Sequence, residues 1–220
     1  MGQKINPIGF RIGSYINWKS RWFSEDNNYK DYLVEDILIR KVLSDRLKLA
    51  GLTEVEIERL PKSMTVTLSV SRPGVVIGRG GTGIEDVKGY IIEAMNSMRV
   101  KGKRVAKLTK MDIVVKEVKN PEISARLVAQ RIVGELERRF PHRRVINKAM
   151  ERVMAAGAKG VKVTLGGRIG GADISRVEKY HTGSVPTQTL RQNIDYFETP
   201  ALLKKGYVGV KVWIHRGEEK

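Results

Sequence analysis

Residues 64 to 71 alternate without a break, with Val66, Leu68 and Val70 on one side and Thr65, Thr67, Ser69 and Ser71 on the other. A period of two predicts a strand with one buried and one wet face. Glu54 to Leu60 predicts a partner strand, turned back at Pro61-Lys62-Ser63. Further on, Ile84, Val87, Ile91, Met95 and Met98 recur at three- and four-residue spacing, the mark of a helix with one buried stripe. Upstream, Leu33, Ile37, Val42 and Leu47 stand among charges between Tyr29 and Ala50, which predicts another helix that Gly51 can end. Trp18, Trp22 and Phe23 precede it. Aromatics beside a helix start are expected to pack into the core, with base stacking as the alternative. Met111 to Val118 predicts a third strand. The order helix, strand, strand, loop, helix, strand makes an α+β unit of about a hundred residues, an ordinary domain size.

Asn120-Pro121 breaks that pattern, with Asn120 suited to an N-cap and Pro121 to a first helical position. A domain boundary is expected there. Ala125, Val128, Ala129, Ile132 and Leu136 then form a buried stripe, and Pro141 ends this helix and leads into another. From Gly160 to His215 the pattern returns to strands: Val161, Val163 and Leu165; Leu190, Ile194 and Tyr196; Val208, Val210, Val212 and Ile214. Two helices on a largely antiparallel sheet are the simplest assembly. The first sixteen or so residues, with Gly2, Pro7, Gly9 and Gly13 among Lys4 and Arg11, read as a basic arm. So little apolar surface predicts that the arm orders on RNA or on a neighbouring protein. The chain thus divides into an arm at 1–16, a first domain at 17–118, a second at 119–216 and a charged tail at 217–220.

At 220 residues and 41% apolar the chain can bury real cores. Its formal charge of +17, from 41 Lys and Arg against 24 Asp and Glu, makes a field that draws polyanions, nucleic acid first. A membrane is not an expected partner, because no segment approaches about 18 continuous apolar residues. Met1 to Asn6 has no apolar stretch behind it that would make a secretory signal. Without cysteine there is no disulfide, no thiolate metal site and no cysteine nucleophile, and a reducing, cytoplasm-like compartment fits. His142, His181 and His215 are too far apart to pair as metal ligands. Asp173, Glu178 and Asp195 are expected to pair with Arg and Lys rather than do acid-base work. The residues therefore predict no catalytic site, metal, cofactor or small-molecule substrate.

The binding chemistry starts at Val75-Val76-Ile77-Gly78-Arg79-Gly80-Gly81-Thr82-Gly83-Ile84. A Gly-X-X-Gly turn, Gly78, Arg79, Gly80 and Gly81, sits between an apolar lead-in and a helix start. Glycines let a strand come close, Arg79 adds charge, and the helix aims free N–H groups outward. RNA-binding KH domains clamp about four nucleotides with such a loop. Gly78, Gly80 and Gly83 also satisfy the dinucleotide fingerprint. That motif needs a buried parallel strand before it and an acid about twenty residues on, whereas Arg72-Pro73-Gly74 and Met98 to Lys101 stand there.

Downstream of Pro141, Arg144, Lys148 and Arg152 fall at i, i+4 and i+8, along one helix face. With Arg138, Arg139 and Arg143, residues 138–152 hold six Lys or Arg against one acid, Glu151. Like charges at that spacing disfavour a helix by a few tenths of a kcal/mol per pair, so the imbalance points to phosphates rather than to a merely solvated face. A second basic block runs from Arg99 to Lys119. In Gly166-Gly167-Arg168-Ile169-Gly170-Gly171, four glycines surround Arg168, and the stretch reads either as ordinary turns or as backbone laid on a phosphate chain.

Several blocks together resemble one family. They are Gly2-Gln3-Lys4-Ile5-Asn6-Pro7 with Gly9-Phe10-Arg11, Arg72 to Gly78, Gly157 to Val163, Gly166 to Ala172, Val185-Pro186, Thr189-Leu190-Arg191 and Gly209 to Ile214. In this order, and over essentially the whole chain, they are similar to the KH-domain ribosomal proteins of bacterial type, the third protein of the small subunit. The resemblance implies a type II KH domain followed by a C-terminal α+β domain. It implies a place in the head of the small subunit, on ribosomal RNA beside neighbouring ribosomal proteins, in the cytoplasm or in an organelle of bacterial descent. It also implies a border on the channel that admits messenger RNA, where basic side chains grip the message and help open its hairpins. Two of those positions carry over as Arg143 and Arg144. The third, normally lysine, falls on Asn147, with Lys148 next to it and about 100° round the helix. Two other classes remain as alternatives. A free RNA chaperone would leave the ribosome in a moderate salt wash, and a nucleic-acid-cleaving enzyme would reveal itself on abasic or single-stranded substrate.

Overall fold

Asn6 opens a short first helix, α1 (Pro7–Arg11), by accepting from the Ile8 and Gly9 amides at 2.9 and 3.3 Å. The computed structural model of the chain describes residues 4–24, 26–60, 63–100 and 110–218. The chain forms two compact units, residues 18–119 and a second that joins the N-terminal segment to the residues from Asn120 on. The arm is thus not left for RNA or another protein to order. Arg11, 1% exposed, donates to the carbonyls of Pro7, Gln192 and Thr189 at 2.9, 2.9 and 2.8 Å, and to that of Thr187 at 3.2 Å. One guanidinium replaces its water with four carbonyls, and this polar cage supplies what the arm lacks in apolar surface.

The first unit contains β1 (Ser20–Arg21), α2 (Asp26–Arg46), β2 (Leu52–Arg59), β3 (Ser63–Val70), α3 (Pro73–Ile77), α4 (Thr82–Val100) and β4 (Lys110–Glu117). Its sheet order is β1-β2-β3-β4, antiparallel between β2 and β3 and parallel on either side. The alternating run is the centre of this sheet. Met64, Val66, Leu68 and Val70 bury against Ile39 and Leu43 of α2, Leu47 just after it, and Val87, Ile91 and Met95 of α4. Residues 61–62 of the predicted turn, the Met98 side chain and residues 101–109 of the second basic block lie outside the described residues.

Two expectations for this unit change. Leu33 and Ile37 are 43% and 59% exposed, while Glu35 and Asp36 are buried on the inner side of α2. Arg59 brings them in, donating to Glu35 Oε2 at 2.6 Å and to Asp36 Oδ1 at 2.6 and 3.0 Å. Ser20 Oγ and Trp22 Nε1 donate to the other Asp36 oxygen at 2.9 and 2.8 Å. The aromatics also divide. Trp22 packs beside Tyr29 and Tyr32, but Trp18 and Phe23 are 66% and 87% exposed rather than in the core.

The second unit adds α5 (Ala125–Glu137), α6 (His142–Ala155), β5 (Gly160–Gly167), β6 (Arg176–Gly183), β7 (Gln192–Leu203) and β8 (Gly206–Glu218). The strands form a fully antiparallel sheet of order β6-β5-β8-β7, and the two helices bury Ala129, Ile132, Ile146 and Val153 against Val161, Val163, Val210 and Val212. Asn120-Pro121 opens a 3-10 turn rather than the helix itself. The free Ala125 amide is capped from afar by Asp195 Oδ2 at 2.9 Å. Leu190 precedes β7 instead of lying in it, and β8 runs into the expected tail. The sequence pattern did not predict β6, because only Tyr180 of that strand packs on the core.

Candidate nucleic-acid interface

Two turns of backbone set the glycine loop. After α3, Gly78 takes φ 69 and ψ 180, Gly80 φ 65 and Gly81 φ 84, a path that side chains resist. Gly78 is needed for space as well, since a Cβ there would sit 2.9 Å from the Gly83 nitrogen. Gly83 keeps an ordinary backbone, yet a Cβ would fall 2.5 Å from the Val76 carbonyl oxygen and 3.0 Å from that of Ile77. The residue read only as the last glycine of a dinucleotide fingerprint is what lets α4 start hard against α3. Around Gly80 and Gly81 there is open space, and Arg79 is exposed beside them. The loop therefore offers bare backbone, one guanidinium and the N-terminal amides of a long helix to an anion.

This predicts opposite signs at two glycines of one helix. Gly83→Ala should cost about 1–3 kcal/mol by overpacking. Gly89→Ala, where nothing stands within 4 Å, should stabilise by about 0.5–1 kcal/mol. Urea denaturation of the two variants checks it, and a loss at both positions would count against the packing account.

In the second unit, α6 divides its residues cleanly. Val145, Ile146, Ala149, Met150 and Val153 are buried, while Arg143, Arg144, Asn147, Lys148 and Arg152 are exposed. The helix is anchored at its start, where His142 Nε2 lies 3.1 Å from Glu178 Oε2, off line for a hydrogen bond. Glu178 also accepts from Tyr180 at 2.5 Å and Arg176 at 2.7 Å, and these bonds, Tyr180's foremost, hold its carboxyl below the usual range. Arg131 clasps Glu122 with two bonds of 2.5 and 2.6 Å and depresses that carboxyl too, with a smaller pull from Arg152. Arg144 and Lys148 have no ion pair among the described residues.

Arg138 caps α5, its amide donating to the Gly134 carbonyl at 3.3 Å, and Arg139 follows in the left-handed region at φ 64. Both side chains are exposed. Arg168 is of another kind. Its guanidinium donates to the Ala172 carbonyl and to Asp173 Oδ1, each at 2.8 Å, closing its own 3-10 turn. The glycines around it serve that turn, with Gly170 and Gly171 at φ 66 and 81. Of the second basic block, Lys110, Lys116 and Lys119 are exposed, and Lys110 pairs with Asp112 at 3.3 Å. The glycine loop belongs to one unit and the arginine-rich helix to the other.

Sequence reasoning passed over the turn between β7 and β8, where Lys204 and Lys205 are both exposed. A Lys-Lys pair just before a glycine, between two strand patterns, was the available signal. Among the described residues no three His, Asp or Glu side chains converge as metal ligands, and no helix is long and apolar enough to cross a membrane.

Residues 132–214 match the family described as "Ribosomal protein S3, C-terminal domain", and residues 38–123 match the KH domain family. Among curated relatives, the small ribosomal subunit protein uS3 of Persephonella marina is 44% identical over 219 residues, covering 100% of this chain and 92% of the relative. The uS3 of Salinibacter ruber is 47% identical, covering 99% and 87%. That of Shouchella clausii is 43% identical, covering 99% and 94%.

Proposed function

The chain belongs to the uS3 family of small ribosomal subunit proteins, and on that premise we propose that its arginine-rich helix lines the path by which messenger RNA enters the subunit. The protein is a non-enzymatic, RNA-binding structural component of the ribosome, a cytoplasmic particle in the bacteria that supply its relatives. The finer reading gives each cation a part. Arg79 and the bare backbone of Gly78, Gly80 and Gly81 meet ribosomal RNA, as does Arg138, and Arg139 stands where RNA approaches the start of α6. Arg143, Arg144, Lys148 and Arg152 hold the incoming message by its phosphates. Neighbouring proteins of the subunit head complete the seat. Arg168, committed to its own turn, acts by holding the Gly166–Gly171 segment in shape.

One observation carries this proposal: the exposed face of α6 sets out cations at Arg143, Arg144, Lys148 and Arg152, with Glu151 the only acid on that helix. Such a face clamps a strand without hydrolysing any nucleotide, and the pull comes from translocation elsewhere. Asn147 is exposed as well and brings no charge, so the grip passes to Lys148 on the next side of the helix. Ribosomes carrying Arg143→Ala with Arg144→Ala are expected to slow on messages with stable hairpins and to keep normal speed on unstructured ones, with subunit assembly nearly intact. Translation timed on both kinds of message checks this, and equal speeds of mutant and parent on hairpins would refute it. Sedimentation through a moderate salt wash separates the ribosomal reading from a free RNA chaperone, which would stay in the soluble fraction.

A further inference from the structure

The turn between α5 and α6 faces the β7–β8 hairpin across a half-open hollow of about 580 Å³. That is within the range of sites that hold small organic groups. Phe140 and Leu202, 54% and 58% exposed, form its apolar walls, and Arg139 and Lys204 stand among its lining with no ion pair in the described residues. Lys205 is already paired with Asp173 at 3.5 Å, and Glu137 accepts from the Leu202 amide at 3.4 Å. That amide does not neutralise the Glu137 carboxylate, but Arg139, Lys204 and Lys205 outnumber it three to one, so the lining is net positive.

Arg139 adds a second observation. It is the only residue other than glycine with positive φ among the described residues, at the place after a helix end where glycine is the usual choice. A side chain kept in the left-handed region costs about 1–2 kcal/mol. Such strain persists where the side chain is used.

We propose that this hollow takes one unstacked base of a single-stranded RNA, laid against Phe140 and Leu202, with the flanking phosphates on Arg139 and Lys204. The inference rests on the RNA-binding reading above and names a site within it. An apolar slot between cations fits a planar base on a polyanionic chain better than an acidic peptide, because aromatic faces stack on any base. His142, which lines the hollow, opens α6, so the chain of the nucleic acid can continue onto Arg143 and Arg144.

The test uses the full-length protein, a fluorescein-labelled ten-nucleotide RNA and inorganic polyphosphate as a probe with charge but no bases. Phe140→Ser should weaken RNA binding about tenfold, the size of a lost stacking contact, and leave polyphosphate binding unchanged. Leu202→Ser should act in the same direction. Arg139→Gly should weaken both probes without lowering the unfolding temperature, since it removes backbone strain along with the cation. A thiouridine-substituted RNA should crosslink to Phe140 or its neighbours. Unchanged RNA affinity in Phe140→Ser and Leu202→Ser, with the parent still binding in a salt-sensitive way, overturns the hollow alone. Displacement of RNA by an oligoglutamate peptide that depends on Phe140 assigns the hollow to a protein partner instead. A parent that binds no RNA overturns both this inference and the reading beneath it.

Discussion

An Arg144→Gln, Lys148→Gln, Arg152→Gln variant is expected to bind single-stranded RNA about fiftyfold more weakly than the parent at about 0.15 M salt. Each phosphate neutralised on a single strand releases about 0.7 of a counterion, so three lost contacts should also reduce the slope of log affinity against log salt by about 2. The helix itself should survive. Its buried residues are untouched, and removing like charges at four-residue spacing favours it by a few tenths of a kcal/mol per pair. Affinity therefore falls while thermal stability holds or rises, a combination that misfolding cannot produce. Arg168→Gln makes the contrast, because that guanidinium is already held by the Ala172 and Lys205 carbonyls and by Asp173. It should change RNA affinity little and loosen the 3-10 turn at Ile169–Gly171. Fluorescence anisotropy at several salt concentrations reads both variants. An unaltered slope in the triple variant would mean that α6 does not meet phosphates.

How far the sequence could lead depends on what each residue is paid to bury. Apolar burial repeats with the period of its element, so the β3 alternation, the α4 stripe and the division of α6 into two faces were all legible before any coordinates. Buried charge leaves no such trace. Glu35 and Asp36 lie inside because Arg59, two elements away, satisfies them, and they displace Leu33 and Ile37 from the inner face that periodicity assigned to them. Arg11 is hidden for the same reason, its partners at Gln192 and Thr189 lying at the far end of the chain. The glycines around Arg168 read as turns or as backbone for a phosphate chain, and its guanidinium is held by the Ala172 carbonyl, by Asp173 and, from the β7–β8 turn, by the Lys205 carbonyl. The hollow beside Phe140 could not be read from any one segment, since its walls come from separate turns, even though the Lys204-Lys205 pair and Arg139 stand out one by one. The cations whose placement the sequence predicted best are those on a regular helix, where spacing alone decides which side chains share a face.

Asp36→Ala is expected to destabilise the unit of residues 18–119 by about 3–5 kcal/mol, the cost of breaking a buried ion pair by removing one partner. Asp36 is 2% exposed and accepts from Arg59, Ser20 and Trp22. Without it, the Arg59 guanidinium remains buried with Glu35 alone, and the Trp22 N–H and Ser20 hydroxyl lose an acceptor that water reaches poorly. Against a typical total of about 5–15 kcal/mol, such a loss leaves the unit marginal. The same sheet provides a control of equal chemistry and different burial. Glu58 pairs with Arg21 at 3.2 Å, but both side chains are nearly half exposed. Solvent screens that pair, so Glu58→Ala should cost no more than about 1 kcal/mol. Hydrogen exchange at the β3 amides follows this unit by itself. If the two alanine variants lose protection equally, desolvation does not set the worth of the Asp36 cluster. Changing Glu35, Asp36 and Arg59 together to apolar residues of similar volume separates the two costs further. That variant should recover much of the stability lost in Asp36→Ala, because the buried charge is gone, although the donors of Ser20 and Trp22 still lose their acceptor.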